Sequence, residues 1–454
     1  MRTMIGTARR ATLGLAMAGA GLLLPGSSRA QVRMTVPPQS TPVVLKGATL
    51  HTVTRGTIQN GTIVLERGKI TAIGGPEVAT PRGAKVVDVS GKHIYPGLVD
   101  AYSTVGITEI GAVDVSNDIR ETGDFNPNVR AEIGVNAESR HIGTTRSAGV
   151  LVAFSTPEGG VISGLSSAMS LEGWTWEEMS MKGAAALNVR WPDPNSTGRA
   201  RFGGGGPGGR PAGPPPKSYA EQVQQIKDWF SEARAYRDAI KTGQSVRTDT
   251  RYAAMIPALD KAIPVVVAAD GAAQINDAIT WAKQEQVKLV IRGGRDALFV
   301  ADRLKAENVP VILTSTMAAP DRQYEGYDNA YATPGKLHAA GVKFAISGGS
   351  GGLYSNRLPW EAGVAVAFGL PEDEALKAVT INAAEFMGVA DKVGSLEVGK
   401  EGTLLITTGT PLDMTSDIIQ SYIQGREINM MDIHKWFFQK YMEKIKQQQP
   451  KIVP

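Results

Sequence analysis

Cysteine is absent from all 454 residues, which excludes disulfides and thiolate metal centres. Histidine is nearly as scarce: with five in the chain, a metal site would have to rest on those few side chains and on carboxylates. Neither charge sign dominates. Lys and Arg number 48 against 44 Asp and Glu, and the small excess lies mainly at the two chain ends, so no nucleic-acid footprint is present. Long apolar runs are also missing, apart from one near the N-terminus. A chain of this length can bury a large core, as one large barrel with a companion domain or as two to three smaller domains.

The exception to the last absence is Ala11 to Leu24, preceded by Arg2, Arg9 and Arg10 and followed by Ser28-Arg29-Ala30. A basic start, a short apolar run and a small-x-small site together read as a signal peptide over residues 1–30. The expectation is a periplasmic or secreted protein with no transmembrane span after cleavage. An uncleaved anchor is the alternative, disfavoured by the short Gly/Ala-rich run. The Arg9-Arg10 pair with Leu13 also resembles a twin-arginine signal.

From Thr41 to Val89, short alternating runs are separated by turn residues, which predicts the first part of a small β domain over residues 41–91. Asn60-Gly61 and Arg67-Gly68 are hairpin-turn candidates, because two-residue turns need positive φ. The chain then alternates apolar strand-like runs with helical periodicities, the pattern of parallel βα units. Eight strand candidates follow: IYPGLVD, GVLVAF, SSAMSLEG, AAALNV, IPVVVAA, VKLVI, VPVILTS and VKFAISG. Eight is the number a closed βα barrel needs, here over residues 92–389. A doubly wound sheet gives the same local pattern.

Residues 199–217 are Gly- and Pro-rich and cannot bury a core, so a disordered loop is expected there. The next segment carries Tyr219, Val223, Ile226, Phe230 and Ala233 at helical spacing, a packing stripe. Strand signals return over 390–430, which makes both chain flanks one β domain. Residues 431–454 read as a basic amphipathic helix and tail with Trp436, Phe437 and Tyr441, docked either on the protein itself or on a membrane surface.

Four stretches together resemble the amidohydrolase superfamily, in its secreted imidazolonepropionase-like branch. They are VVLKGATLHTV with GTIVLERGKITAIG, then VVDVSGKHIYPGLVDA, then the run from Gly369 to Asp413, and SYIQGREI. The resemblance implies an α/β fold, a TIM-like (β/α)8 barrel with a small β domain built from both chain ends. It also implies a hydrolase of non-peptide carbon–nitrogen bonds in small cyclic amides, using one or two divalent metals.

In that family strand one ends in Asp-x-His-x-His, strands five and six each end in a metal-binding His, and strand eight ends in an Asp. Such ligands fix an ion that lowers the pKa of bound water, while the Asp moves protons. Here Tyr102 and Thr104 stand at the two strand-one positions, after Asp100. Ala268 takes the place on strand five, with Asp270 two residues on. Arg292 takes it on strand six, and no acid follows Ser347 on strand eight. No metal cofactor is therefore expected.

The five histidines do not replace the set. His51 and His93 fall in or near the β domain, His141 in a helix-like stretch, His338 before strand eight and His434 in the tail. None pairs with another at ligand spacing, and each reads as a surface or ordinary hydrogen-bonding residue.

Residues at the C-terminal ends of barrel strands face the site, which makes Tyr102, Thr104, Asn188, Arg190, Arg292 and Ser347 candidate ligand contacts. Asp270 is the candidate catalytic acid or base. Ser315 and, further along, Tyr354, Asn356 and Arg357 join the polar rim. Arg292 stands out because its fork matches a carboxylate or phosphate; alternatively it only neutralises Asp270. Trp174 and Trp176 either line a pocket or pack in the core. Three functions stay open: a hydrolase, a barrel binding a small anionic molecule, and a silent subunit in a homo-oligomer or with an active relative.

Overall fold

In the computed structural model, residues 35–194, 217–349 and 351–448 are described. The signal-peptide segment, Ser350, residues 449–454 and nearly all of the Gly/Pro-rich segment lie outside these ranges.

The chain begins with β1 (Val43–His51), β2 (Thr57–Glu66), β3 (Lys69–Gly74), β4 (Lys85–Asp88) and β5 (His93–Pro96). The β2–β3 hairpin turns on Arg67-Gly68, at φ 52° and 80°. Asn60-Gly61 is no turn. It lies inside β2, with Asn60 at φ 48°, where the β1–β2 register slips. Gly61 is needed there because a Cβ would sit 2.5 Å from the Leu50 side chain.

Pro96 and Gly97 then carry the chain from this sheet straight into the barrel, so the run IYPGLVD serves two sheets. The barrel strands are β6 (Leu98–Ser103), β7 (Val150–Ser155), β8 (Ile162–Ser170) and β9 (Ser180–Arg190). They continue as β10 (Val265–Ala269), β11 (Leu289–Gly293), β12 (Val311–Leu313) and β13 (Phe344–Ile346). All eight sequence-predicted runs contribute a strand to this one sheet, ordered from β6 to β13.

Parallel βα units do not extend throughout. β8 pairs antiparallel with both β7 and β9, because its connections are too short for crossover helices. The sheet comes nearly full circle where Ser347 Oγ donates to the Tyr102 carbonyl at 2.7 Å.

The helices are α1 (Arg140–Ser147), α2 (Trp176–Met179), α3 (Tyr219–Lys241), α4 (Thr250–Leu259), α5 (Ala272–Glu285) and α6 (Ala301–Ala306). After them come α7 (Asn329–Ala340), α8 (Leu358–Ala367), α9 (Glu372–Ala378) and α10 (Ile381–Phe386). Ser218 opens α3 with a capping box to Glu221, and Ile226, Phe230 and Ala233 of the stripe are buried.

The period-two alternation of strands divides the core. Val265, Val267, Leu289, Ile291 and Val311 pack outward against the helices. Val266, Val290, Ile312 and Ala345 fill the barrel interior. β14 (Leu404–Thr407), β15 (Ile418–Ile423) and β16 (Arg426–Ile428) return to the first sheet. There β14 lies antiparallel to β5, so residues from both chain ends share one sheet and one core around Leu45, Leu65 and Tyr422.

Candidate functional site

The C-terminal ends of the parallel strands form the mouth of the barrel. β10 and β11 place Ala268 beside Arg292, and Arg292 in turn pairs in register with Ile312 of β12. Two residues earlier on β11, Val290 points to the same side and fills the interior, so Arg292 stands above an apolar floor. Its guanidinium carbon lies 4.1 Å from the centre of the Tyr102 ring, a cation–π distance. Tyr102 itself is buried.

Arg292 also meets Glu158, with Nη1 3.6 Å from Oε1. Burial lowers the Arg292 pKa, opposed by the charges of Glu158 and then Asp270. It remains a cation, since arginine does not deprotonate in proteins. Its direct partner is thus Glu158, with Asp270 acting only at longer range. Glu158 escaped the sequence reading; the acid just past an apolar run, in STPEGG, was the available signal.

The other sequence-predicted positions divide by exposure. Asp270 is exposed and lines a hollow of about 260 Å³ with Gly293, Arg295, Thr314 and Ser315. Arg190 is exposed, its N–H bound to the Val161 carbonyl at 2.8 Å. Asn188 is buried and donates to Gly164 O at 3.1 Å and Ser166 Oγ at 2.8 Å. Ser347 and Thr104 are buried as well. Thr104 Oγ1 accepts the Gly352 N–H at 2.6 Å, so Ser347 and Thr104 tie strand one to the segment after β13.

Two buried acids lie beneath this rim. Asp100 is fully buried, and its Oδ1 accepts from the Tyr102 and Gly348 N–H groups at 3.3 and 3.4 Å. Burial pushes its carboxyl up to about 7, partly offset by the Ser347 and Ser355 hydroxyls. Glu361 of α8 accepts from Thr316 N at 2.5 Å and Met317 N at 3.0 Å, holding the loop after β12. Burial raises its pKa too.

One histidine reading needs correction. His51 Nε2 and His93 Nδ1 are 3.0 Å apart, because β1 and β5 are adjacent and in register at Thr49 and His93. The pair lies in the small sheet. Burial, then the charge of His93, lowers the His51 pKa to about 4. His141 bonds the Glu109 carbonyl, and His338 approaches Glu374. Of the tryptophans, Trp174 is half exposed while Trp176 packs against the outer core.

Among the described residues no group of three or more His, Asp or Glu side chains could hold a metal ion. With the Arg292 guanidinium on the Tyr102 ring, the side chains at the mouth do not fit a divalent cation. No helix of the described residues is long and apolar enough to cross a membrane.

An eight-stranded barrel sheet with helices and an added β domain define the α/β TIM-like class. A model of the amidohydrolase family matches residues 210–445, more than half the chain, and the chain belongs to that family. Membership supports a hydrolase. An amidohydrolase from Thermotoga maritima MSB8 is 26% identical, with a TM-score of 0.75 over 85% of this chain and 99% of that one. Molinate hydrolase (14% identity, TM-score 0.54, 87% and 96% covered) shares the fold. So does a putative prolidase from Bifidobacterium longum (16%, 0.53, 90% and 99%). No curated protein sequence matches.

Proposed function

We propose that this chain is an exported member of the imidazolonepropionase-like branch whose barrel mouth binds a small carboxylate-bearing amide, and that its chemistry no longer runs through metal-bound water. The observation that carries this reading is Arg292, set on Tyr102 where the family is expected to place a metal-binding histidine. A guanidinium fork suits a carboxylate. Its present partner at 3.6 Å lies beyond ordinary hydrogen-bond length. Glu158 is one-third exposed, so a ligand carboxylate can replace it without leaving the arginine unpaired.

The test is calorimetric titration with small N-acyl amino acids and cyclic ureides, alongside elemental mass spectrometry of the purified chain. Binding should weaken by about tenfold or more in Arg292→Ala, the scale of a charged hydrogen bond lost. Binding that survives this change would place the ligand elsewhere. About one tightly held metal per chain, with release of amine and acid, would restore metal-water hydrolysis.

A second reading, hydrolysis of a cyclic amide at the same mouth, is favoured by Asp270, which shares a hollow with Ser315. The carboxylate would take a proton from the water that attacks the carbonyl carbon and return it to the ring nitrogen as the C–N bond breaks, while Arg292 stabilises the carbonyl oxygen. Turnover abolished by Asp270→Asn, with binding intact, supports it. If ligand binding and turnover both fail, and activity rises only on mixing with an active relative, the silent-subunit role holds instead.

A further inference from the structure

The last helix, α11 (Ile433–Gln448), stands apart from both cores. Its base is fixed. Asp432 Oδ1 caps the N–H groups of His434 and Lys435 at 2.7 and 3.0 Å, and Ser147 of α1 donates to the same carboxylate. Arg146 of α1 holds the Asn429 carbonyl at 3.0 Å. Beyond this collar every residue from His434 to Gln448 is exposed.

Those exposed residues are not polar throughout. Phe437, Tyr441 and Ile445 follow one another at intervals of four, as do Phe438 and Met442. At 100° per residue they form one apolar arc, entered by a polar side chain only at the two ends of the helix, His434 and Gln448. Phe438 is 67% exposed and Tyr441 54%. Lys435 and Lys446 border one edge of the arc, Lys440 and Lys444 the other, and Glu443, the one acid of α11, shares the polar side with Trp436, Gln439 and Gln447; Lys435 Nζ also donates to the Met430 carbonyl at 3.0 Å. Three rings, Phe437, Phe438 and Tyr441, thus stand in solvent together with Met442 and Ile445, while Trp436 lies on the other side of the helix with Lys440 Nζ 5.1 Å from its centre. Something must cover the arc.

A second copy of the chain fits poorly. The helix offers a strip roughly 24 Å by 10 Å, small beside the ~800 Å² per partner of a stable interface. Facing copies would also bring lysine edges together. An anionic bilayer fits on both counts: rings and aliphatic chains enter the acyl boundary while flanking lysines reach the phosphates. We propose that α11 docks on an anionic phospholipid surface and holds the barrel beside it.

Flotation of the exported chain, beginning at Gln31 after signal cleavage, with phosphatidylcholine vesicles, with and without phosphatidylglycerol, tests this. Without the apolar run Ala11–Leu24, parent and variants differ only in α11. Retention should need phosphatidylglycerol, fall as salt rises from ~0.15 M to ~1 M, and drop about tenfold or more in Phe438→Glu/Ile445→Glu. Replacing the four lysines by Gln should have a similar effect, with the unfolding midpoint unmoved. Equal retention of parent and variants would overturn the proposal. So would a light-scattering dimer, dispersed by the double variant and indifferent to vesicles.

Discussion

Asp100 and His51 carry titrations of opposite sign, and single substitutions separate them. Asp100 is pushed up to about 7 by burial, against about 3.9 in an unfolded chain. Between those values the folded state binds the extra proton, so stability falls as pH rises from about 4 to about 7. His51 is pressed down to about 4 by burial and by His93, against about 6.5 unfolded. There the unfolded state binds the extra proton, and stability rises with pH from about 4 to about 6.5. In the parent the two slopes oppose one another. In Asp100→Asn, denaturant midpoints followed across pH 4–7 should climb with pH; in His51→Phe they should decline. Flat profiles for both variants would mean that neither group titrates as its burial demands.

At the scale of elements, the segment after β13 is held against β6 through Thr104, whose hydroxyl takes the Gly352 N–H. Gly352 packs so closely that a Cβ would lie 3.0 Å from the Thr104 carbonyl. Thr104→Val keeps the shape and strands that N–H, a loss of about 1–3 kcal/mol. Urea unfolding should show it, together with faster hydrogen exchange around Gly351 and Gly352. Unchanged protection there would rule out the tie. Such ties were not legible in the sequence, where Thr104 and Ser347 looked like ligand contacts simply for standing at strand ends. The eight strands were legible because buried parallel strands read as continuous apolar runs. Their directions were not, since an apolar run has no polarity. The reversed β8 was betrayed only by six residues between Ser155 and Ile162, too few for a crossover. Glu158 sits in that same short turn, so misjudging the connection also hid the partner of Arg292.

For the whole molecule, the question is whether barrel and β sheet unfold together, since one sheet is made from distant parts of the chain. Arg146 of α1 and Glu172, which follows β8, form an ion pair with both side chains buried. Glu172 also accepts the Val36 N–H at 3.1 Å, and Arg146 holds the Asn429 carbonyl. One charge pair in the barrel therefore grips the segments leading into and out of the terminal sheet. Glu172→Gln leaves the arginine charge buried without its counter-ion, a loss of about 3–5 kcal/mol. Because the pair belongs to both layers, unfolding should remain a single transition, moved to lower denaturant with unchanged slope. Replacing both partners, Arg146→Met with Glu172→Leu, removes the stranded charge and should recover most of the loss. Two separated transitions in Glu172→Gln, one by near-ultraviolet and one by far-ultraviolet dichroism, would show instead that sheet and barrel are energetically independent.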